Sequence, residues 1–266
     1  YNSFNNNPTL LIDPDGKTFY INGNTAQAQQ DIKDMIDPFY IDKMVFTDIG
    51  GGMMRVDFNW EDGGTLNHDS GAKLLINLTS ASENYVYTVS NTYDVLHIYG
   101  TGPEINQADV TKDVPPSFLG NGEAFGVQNL SETAYQATKM TEEGKLKGAS
   151  RSQPVDINGI DIDGQVVVAV NGSWVHPDGT DFSRGEMAFH ELWENYERTT
   201  NGLPYEYNTY DAYGRSTGAK DETRKGAHDL SVDAQNGTGI YAGQIFIPTK
   251  DGIAANSGVG KYIKSE

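Results

Sequence analysis

SRGEMAFHELWENYERTTNGLP, residues 183–204, carries the strongest structural signals in the second half of the chain. Ser183 and Glu186 are spaced as a capping box: the hydroxyl can accept from a backbone N–H of the first turn, and the carboxylate three residues on reaches back to the cap. A helix therefore starts at residue 184. Met187, Ala188, Leu192 and Trp193 supply its apolar stripe, and Gly202 with Pro204 stops it near residue 200. Inside it lies His190-Glu191-Leu192-Trp193-Glu194. Residues four apart stand one turn apart on the same face, so His190 and Glu194 can grip one ion.

Glu191 sits about 100° round the helix from His190, within reach of a water held by that ion without being a ligand itself, as the H-E-x-x-H spacing of zinc hydrolases requires. Glu194 stands where that spacing has its second His. A carboxylate is a legitimate zinc ligand, and two His with one Glu is a known catalytic set, but a second His must then come from elsewhere. The remaining histidines are His68, His97, His176 and His228. His228 lies in GAHDLSVDAQN, a second expected helix after the Tyr- and Gly-rich segment 205–219, and is the preferred third ligand. His176, in SWVHPDGTDF just before the first helix, is its rival. His68 and His97 read as ordinary surface or core histidines. Asp229, Asp233 and Asn236 are candidates to orient a ligating ring, and Tyr196, Tyr207 and Arg224 are candidate donors to a developing oxyanion.

Upstream, PTLLIDPDGKTFYING alternates turn signals with short apolar strands in the manner of a β-hairpin. Residues 25–37 place Ala28, Ile32 and Ile36 at helical spacing. From Lys43 to Tyr99 the segments VFTDI, MMRVDFNW, KLLINLTS, NYVYTVS and VLHIYG read as strands of an antiparallel meander. Residues 100–154 form a polar connection with a helix expected in ETAYQATKMTEEGKLKG that stops near Gly144. Asn158-Gly159 between the triplets VDI and IDI is a hairpin signal, and QVVVAV (165–170) reads as a buried strand. Asp156, Asn158, Asp161 and Asp163 are oxygen donors, yet their spacing departs from the twelve-residue calcium loop and its closing Glu is missing. The tail, IYAGQIFIPTKDG, adds a strand.

With 37 Asp and Glu against 19 Lys and Arg, the formal charge is −18, which disfavours nucleic acid and anionic membranes as partners. No cysteine is present, so disulfides, thiolate metal sites and cysteine nucleophiles are excluded and His, Asp and Glu are the available strong ligands. No apolar run approaches 18 residues, which argues against membrane insertion, and YNSFNNNPTL lacks the features of a signal peptide. The absence of an initiating Met suggests a fragment of a longer protein. Abundant Asn, Asp, Ser, Thr and Gly, the last numbering 30, favours turns and short strands in the style of secreted or cell-surface proteins.

Two resemblances follow from these residues. Tyr1, Asn6-Asn7-Pro8 and Asp13-Pro14-Asp15-Gly16 resemble the end of the Rhs/YD-repeat core, where it joins a variable C-terminal toxin domain. HEL.ENY.RT..GLPY followed by GAH....DAQN, over residues 184–236, is similar to the metallopeptidase-type toxin domains carried by such proteins, whose usual form is HEL.HAY. The His190, Glu194, His228 set mirrors the gluzincin arrangement, in which two His come from the first helix and a Glu from the second. The resemblance implies a zinc-dependent, zincin-like peptidase acting on protein or peptide, a toxin delivered into a target cell and countered by an immunity protein. The expected fold is α+β. Residues 1–100 form a β-rich N-terminal module and residues 101–266 a zincin-like metallohydrolase domain of strand, active-site helix and ligand helix, with a soft boundary between them. A non-enzymatic binding module using the 15 Tyr residues as contact surface and a metal-dependent hydrolase of a non-peptide substrate are the rival readings.

Overall fold

The structure, a computed structural model, describes residues 18–60, 70–99, 106–114, 116–118, 124–131, 151–172, 174–175, 181–212, 216–236, 245–249, 252–256 and 262–264. The fold is α+β, as the sequence implies. Its frame is a seven-stranded mixed sheet in the order β2-β3-β1-β4-β10-β8-β7. The strands are β1 (Thr18–Gly23), β2 (Met44–Gly50), β3 (Met53–Phe58), β4 (Asn84–Val89), β7 (Pro116–Phe118), β8 (Ala124–Ser131) and β10 (Gly164–Val168). A smaller sheet, β6-β5-β9, joins β5 (Thr92–Tyr99), β6 (Asn106–Asp113) and β9 (Arg151–Pro154). Three helices, α1 (Thr25–Asp34), α2 (Ser70–Ser80) and α3 (Arg184–Thr199), pack on one face of the large sheet.

Strand alternation sends residues to both faces, and both are covered. Phe19 and Ile21, Tyr85 and Tyr87, and Val166 and Val168 enter the core beneath the helices. Their neighbours turn the other way: Tyr20 and Val86 meet Met53 and Ile162, and Val167 meets Tyr93, Val95 and Leu130. A strand buried on both faces reads as an unbroken apolar run, which is why QVVVAV was legible and why β10 is buried throughout. The large sheet takes strands from both sides of residue 100.

Several expectations need correction. Residues 100–154, read as a polar connection, carry β6, β7, β8 and β9. The meander of antiparallel strands is instead mixed, since β4 lies between β1 and β10 and runs parallel to both. KLLINLTS is not a strand but most of α2. Its buried residues Gly71, Leu74, Leu75 and Leu78 recur at the helical period of a one-sided element, and Gly71 lets the helix press so close that a Cβ would stand 1.9 Å from the Met35 carbonyl oxygen. At Asn158-Gly159 the tight turn forms, with both residues at positive φ (56° and 82°), as a type I′ turn demands. Its flanking triplets hold only the Ile157–Ile160 bridge rather than extended strands, because both isoleucines fold back onto the Tyr20, Met53 and Val86 cluster.

The expected strand in the tail is β15 (Ile245–Thr249), paired with β16 (Gly252–Asn256). The Rhs-like residues 1–16 and the helix expected over 132–148 lie outside the described residues. No described helix is long and apolar enough to cross a membrane.

Candidate metal centre

Helix α3 begins where the capping box places it: Glu186 N–H donates to Ser183 Oγ at 3.1 Å and Ser183 N–H to Glu186 Oε2 at 2.8 Å. Its first residue, Arg184, is clamped by the fully buried Asp31 of α1, Nε to Oδ1 at 2.9 Å and Nη2 to Oδ2 at 2.8 Å. Further along, the helix lies on β10 so closely that a Cβ on Gly164 would stand 2.2 Å from Asn195 Oδ1. Ala188, Phe189 and Leu192 fill the core. The face bearing His190 and Glu194 is left toward the fourth helix, α4 (Ala227–Asn236).

The chain leaves α3 through Gly202 at φ 64°, and Leu203 N–H returns to the Glu197 carbonyl at 3.1 Å. The next two carbonyls serve α4. Pro204 O accepts from Ala227 N–H at 2.9 Å and Tyr205 O from His228 N–H at 3.1 Å, satisfying donors that a helix start leaves orphaned. Asp229 Oδ2 takes the Gly226 N–H at 3.1 Å. The segment ending one ligand helix thus caps the other, which fixes the place of His228.

His190, Glu194 and His228 each present a ligand atom within 4.8 Å of the others, and among the described residues theirs is the group of this kind that converges. His228 Nδ1 lies 3.4 Å from Glu194 Oε2 and is buried without a hydrogen-bond partner; the other Glu194 oxygen takes Arg198 Nη1 at 3.4 Å. The two imidazoles meet edge to face at 5.1 Å. Gln235 Oε1 lies 3.0 Å from His190 Nδ1 and Ser231 Oγ 3.3 Å from its Nε2; the carboxamide oxygen, as an acceptor, favours the proton on Nδ1. Burial, outweighing the opposing pull of Glu194, lowers the His190 pKa and so favours the neutral ring that a metal needs.

Glu191 is held from the sheet: Asn129 Nδ2 of β8 donates to its carbonyl at 2.9 Å and its Oε2 at 3.3 Å. Burial first, and then the charge of Glu194, push its carboxyl well above the ordinary carboxylate range. Tyr205 stacks on His228 at 4.9 Å between centroids. Burial, then the charges of Glu194, Glu206 and Glu191, push its phenol up to about 12, so it keeps its proton at neutral pH.

Of the candidate orienting residues, Asp229 pairs with Lys220 and Asp233 with Lys225, while the side chain of Asn236 lies outside the described residues. Gln235 holds His190 instead. Tyr196 faces Tyr85 at 6.1 Å, and the guanidinium of Arg224 lies 3.5 Å over the Tyr207 ring; these three are engaged away from the triad. His176 and His68 lie outside the described residues, and His97 lies on β5, with Nδ1 3.3 Å from Ser152 Oγ. Ser231, whose Oγ donates to the His228 carbonyl at 2.8 Å and lies 3.3 Å from His190 Nε2, and Gln235 share the His228 face at helical spacing and are findable from it. Asn129 was not, because only the sheet brings it to α3.

No family model, curated protein or solved structure matches the chain. The chemistry of the site therefore rests on its own donors: two imidazoles and a carboxylate on two helices, a second carboxylate held beside them, and a protonated phenol at the rim. Nitrogen and oxygen ligands in this ratio suit a divalent transition metal, zinc and iron(II) included.

Proposed function

We propose that the chain is a zinc-dependent hydrolase of peptide bonds, with His190, Glu194 and His228 holding the metal. The convergence of three donors within 4.8 Å, one of them an orphaned buried imidazole nitrogen, carries this reading. A zinc ion there would lower the pKa of a bound water to about 7 and polarise a carbonyl oxygen. With the charge of the ion beside it lowering its raised pKa, Glu191 would take the proton from that water and return it to the leaving amine. Asn129 would keep the carboxylate aimed, Gln235 would hold the His190 ring, and the Tyr205 hydroxyl would donate a hydrogen bond to the developing oxyanion. The Rhs-like start and the HEL.ENY pattern support a toxin or effector role outside the producing cell, with an immunity protein as its partner.

The test is metal content by elemental analysis, paired with hydrolysis of an unfolded protein substrate with and without chelator. One zinc per chain is expected. His190→Ala and His228→Ala should each lose it, along with the thermal stabilisation that added zinc confers, while circular dichroism stays unchanged. A wild-type protein that takes up no zinc sinks the reading in favour of a binding module.

For Tyr205→Phe we expect kcat to fall by about 10²–10³-fold, the usual effect of losing one oxyanion donor, with KM and zinc content unchanged. An unaltered kcat would remove Tyr205 from the chemistry.

A further inference from the structure

A second site lies on the smaller sheet, built from residues the metal centre does not use. A cavity of about 560 Å³ opens between β5, β6, β9 and the chain around the Asn158-Gly159 turn. Among the described residues its walls carry Asp94, Asp109, Asp156 and Asp161 and no Lys, Arg or His. Leu96 and the buried Ile162 add apolar wall.

Strand register explains how these groups come together. Leu96 pairs with Asp109 on one side and Gln153 on the other, and Asp94 pairs with Thr111. Alternation puts Asp94 and Leu96 on one face together with these partners, so Gln153 faces the same space as the two aspartates. Gln153 is only 8 % exposed, lines the cavity, and its Oε1 is buried with no hydrogen-bond partner. Native proteins seldom leave a carboxamide oxygen so placed. The orphaned acceptor, independent of the acidic rim, calls for a donor from a ligand.

The donor is larger than a metal ion. The triad at His190 is the group whose ligand atoms converge on one point among the described residues, so the cavity carboxylates are spread too widely for that. Two of them also hold the local chain: Asp94 Oδ1 accepts from Thr111 Oγ1 at 2.5 Å and Asp156 Oδ1 from Gly159 N–H at 2.6 Å. Spread carboxylates beside apolar walls match an aliphatic stem ending in an ammonium or guanidinium group.

We propose that this cavity binds an aliphatic organic cation, supplied either as a free polyamine or as the Lys or Arg side chain of a peptide. The cationic head meets Asp94 and Asp109, the stem lies along Leu96, and a donor satisfies Gln153. The site is independent of the zinc reading, so it is tested on chelator-treated protein.

The experiment is calorimetric titration at physiological salt with three probes: spermidine, an end-blocked Gly-Arg-Gly peptide, and calcium. One equivalent of spermidine or of the peptide should bind, and whichever binds more tightly identifies the source. Asp94→Asn with Asp109→Asn should weaken binding by about tenfold for each charge-assisted hydrogen bond lost. Gln153→Leu should weaken it as well, and Gln153→Glu, which places a charge at the orphaned acceptor, should tighten it. Asp42→Asn with Glu222→Gln removes two exposed charges elsewhere and should change nothing. Binding by calcium alone, by neither cation, or weakened equally in the Asp42/Glu222 pair would overturn the proposal.

Discussion

Glu191→Gln should leave zinc content and fold intact while lowering peptide hydrolysis by about 10²–10⁴-fold, the range for loss of a positioned general base. The amide is isosteric, and its oxygen can still accept from Asn129 Nδ2 as Glu191 Oε2 does at 3.3 Å. It also removes a carboxylate that burial and Glu194 already disfavour, so the fold has no reason to weaken. The variant thereby separates chemistry from metal binding, which His190→Ala and His228→Ala do not. Single-turnover kinetics on the zinc-loaded protein, with unfolding monitored in parallel, make the comparison. Hydrolysis at wild-type rates with zinc retained would show that Glu191 is not the base.

Asp31→Ala should cost about 3–5 kcal/mol, the usual penalty for leaving one member of a buried pair without the other. Asp31 is fully buried and accepts from Arg184 at 2.9 and 2.8 Å, from Tyr87 Oη at 2.8 Å and from Gln27 Nε2 at 2.8 Å. Its removal takes the carboxylate from the guanidinium of Arg184, which keeps the Ala169 carbonyl at 3.0 Å as a neutral partner. For a chain of this size the loss corresponds to a fall in Tm of roughly 10 °C. Pairing it with Arg184→Met should recover much of the loss, since an apolar pair of similar volume is often tolerated there. A drop under about 1 kcal/mol in urea unfolding would mean that water replaces the carboxylate at no great cost. Because Arg184 opens α3, the single variant should also loosen zinc binding.

The site was more legible than the frame around it, for physical reasons. His190, Glu191 and Glu194 are related by one helix, and a helix announces itself locally through Ser183, Glu186 and Gly202. His228 is legible from its place in a second expected helix, GAHDLSVDAQN, after the Tyr- and Gly-rich segment 205–219. Its contact with Glu194 depends on carbonyls at 204 and 205 that no pattern of side chains encodes. Sheet order is non-local in the same way: nothing in NYVYTV marks it for a place between β1 and β10. KLLINLTS misleads because a short apolar run fits either period, and its burial at 74, 75 and 78 emerges only once a sheet lies beneath it. Gln235 was missed by one position, the orienting role having been sought among Asp229, Asp233 and Asn236.

The two carbonyls that cap α4 also close a ring. Residues 206–225 leave from Tyr205 and return at Gly226, where the chain touches itself so tightly that a Cβ on Gly226 would lie 2.4 Å from the Tyr205 oxygen. Between these points runs the β13–β14 ribbon (Asn208–Tyr210 and Ser216–Lys220), pinned at its base by Asp221 N–H to the Tyr207 carbonyl at 2.7 Å. A loop sealed at its neck can grow or shrink at a cost that rises only with the logarithm of its length, about 0.6 kcal/mol per doubling. The ribbon is therefore tethered at its neck rather than along its length. Through Lys220, which pairs with Asp229, it also braces the helix that carries His228.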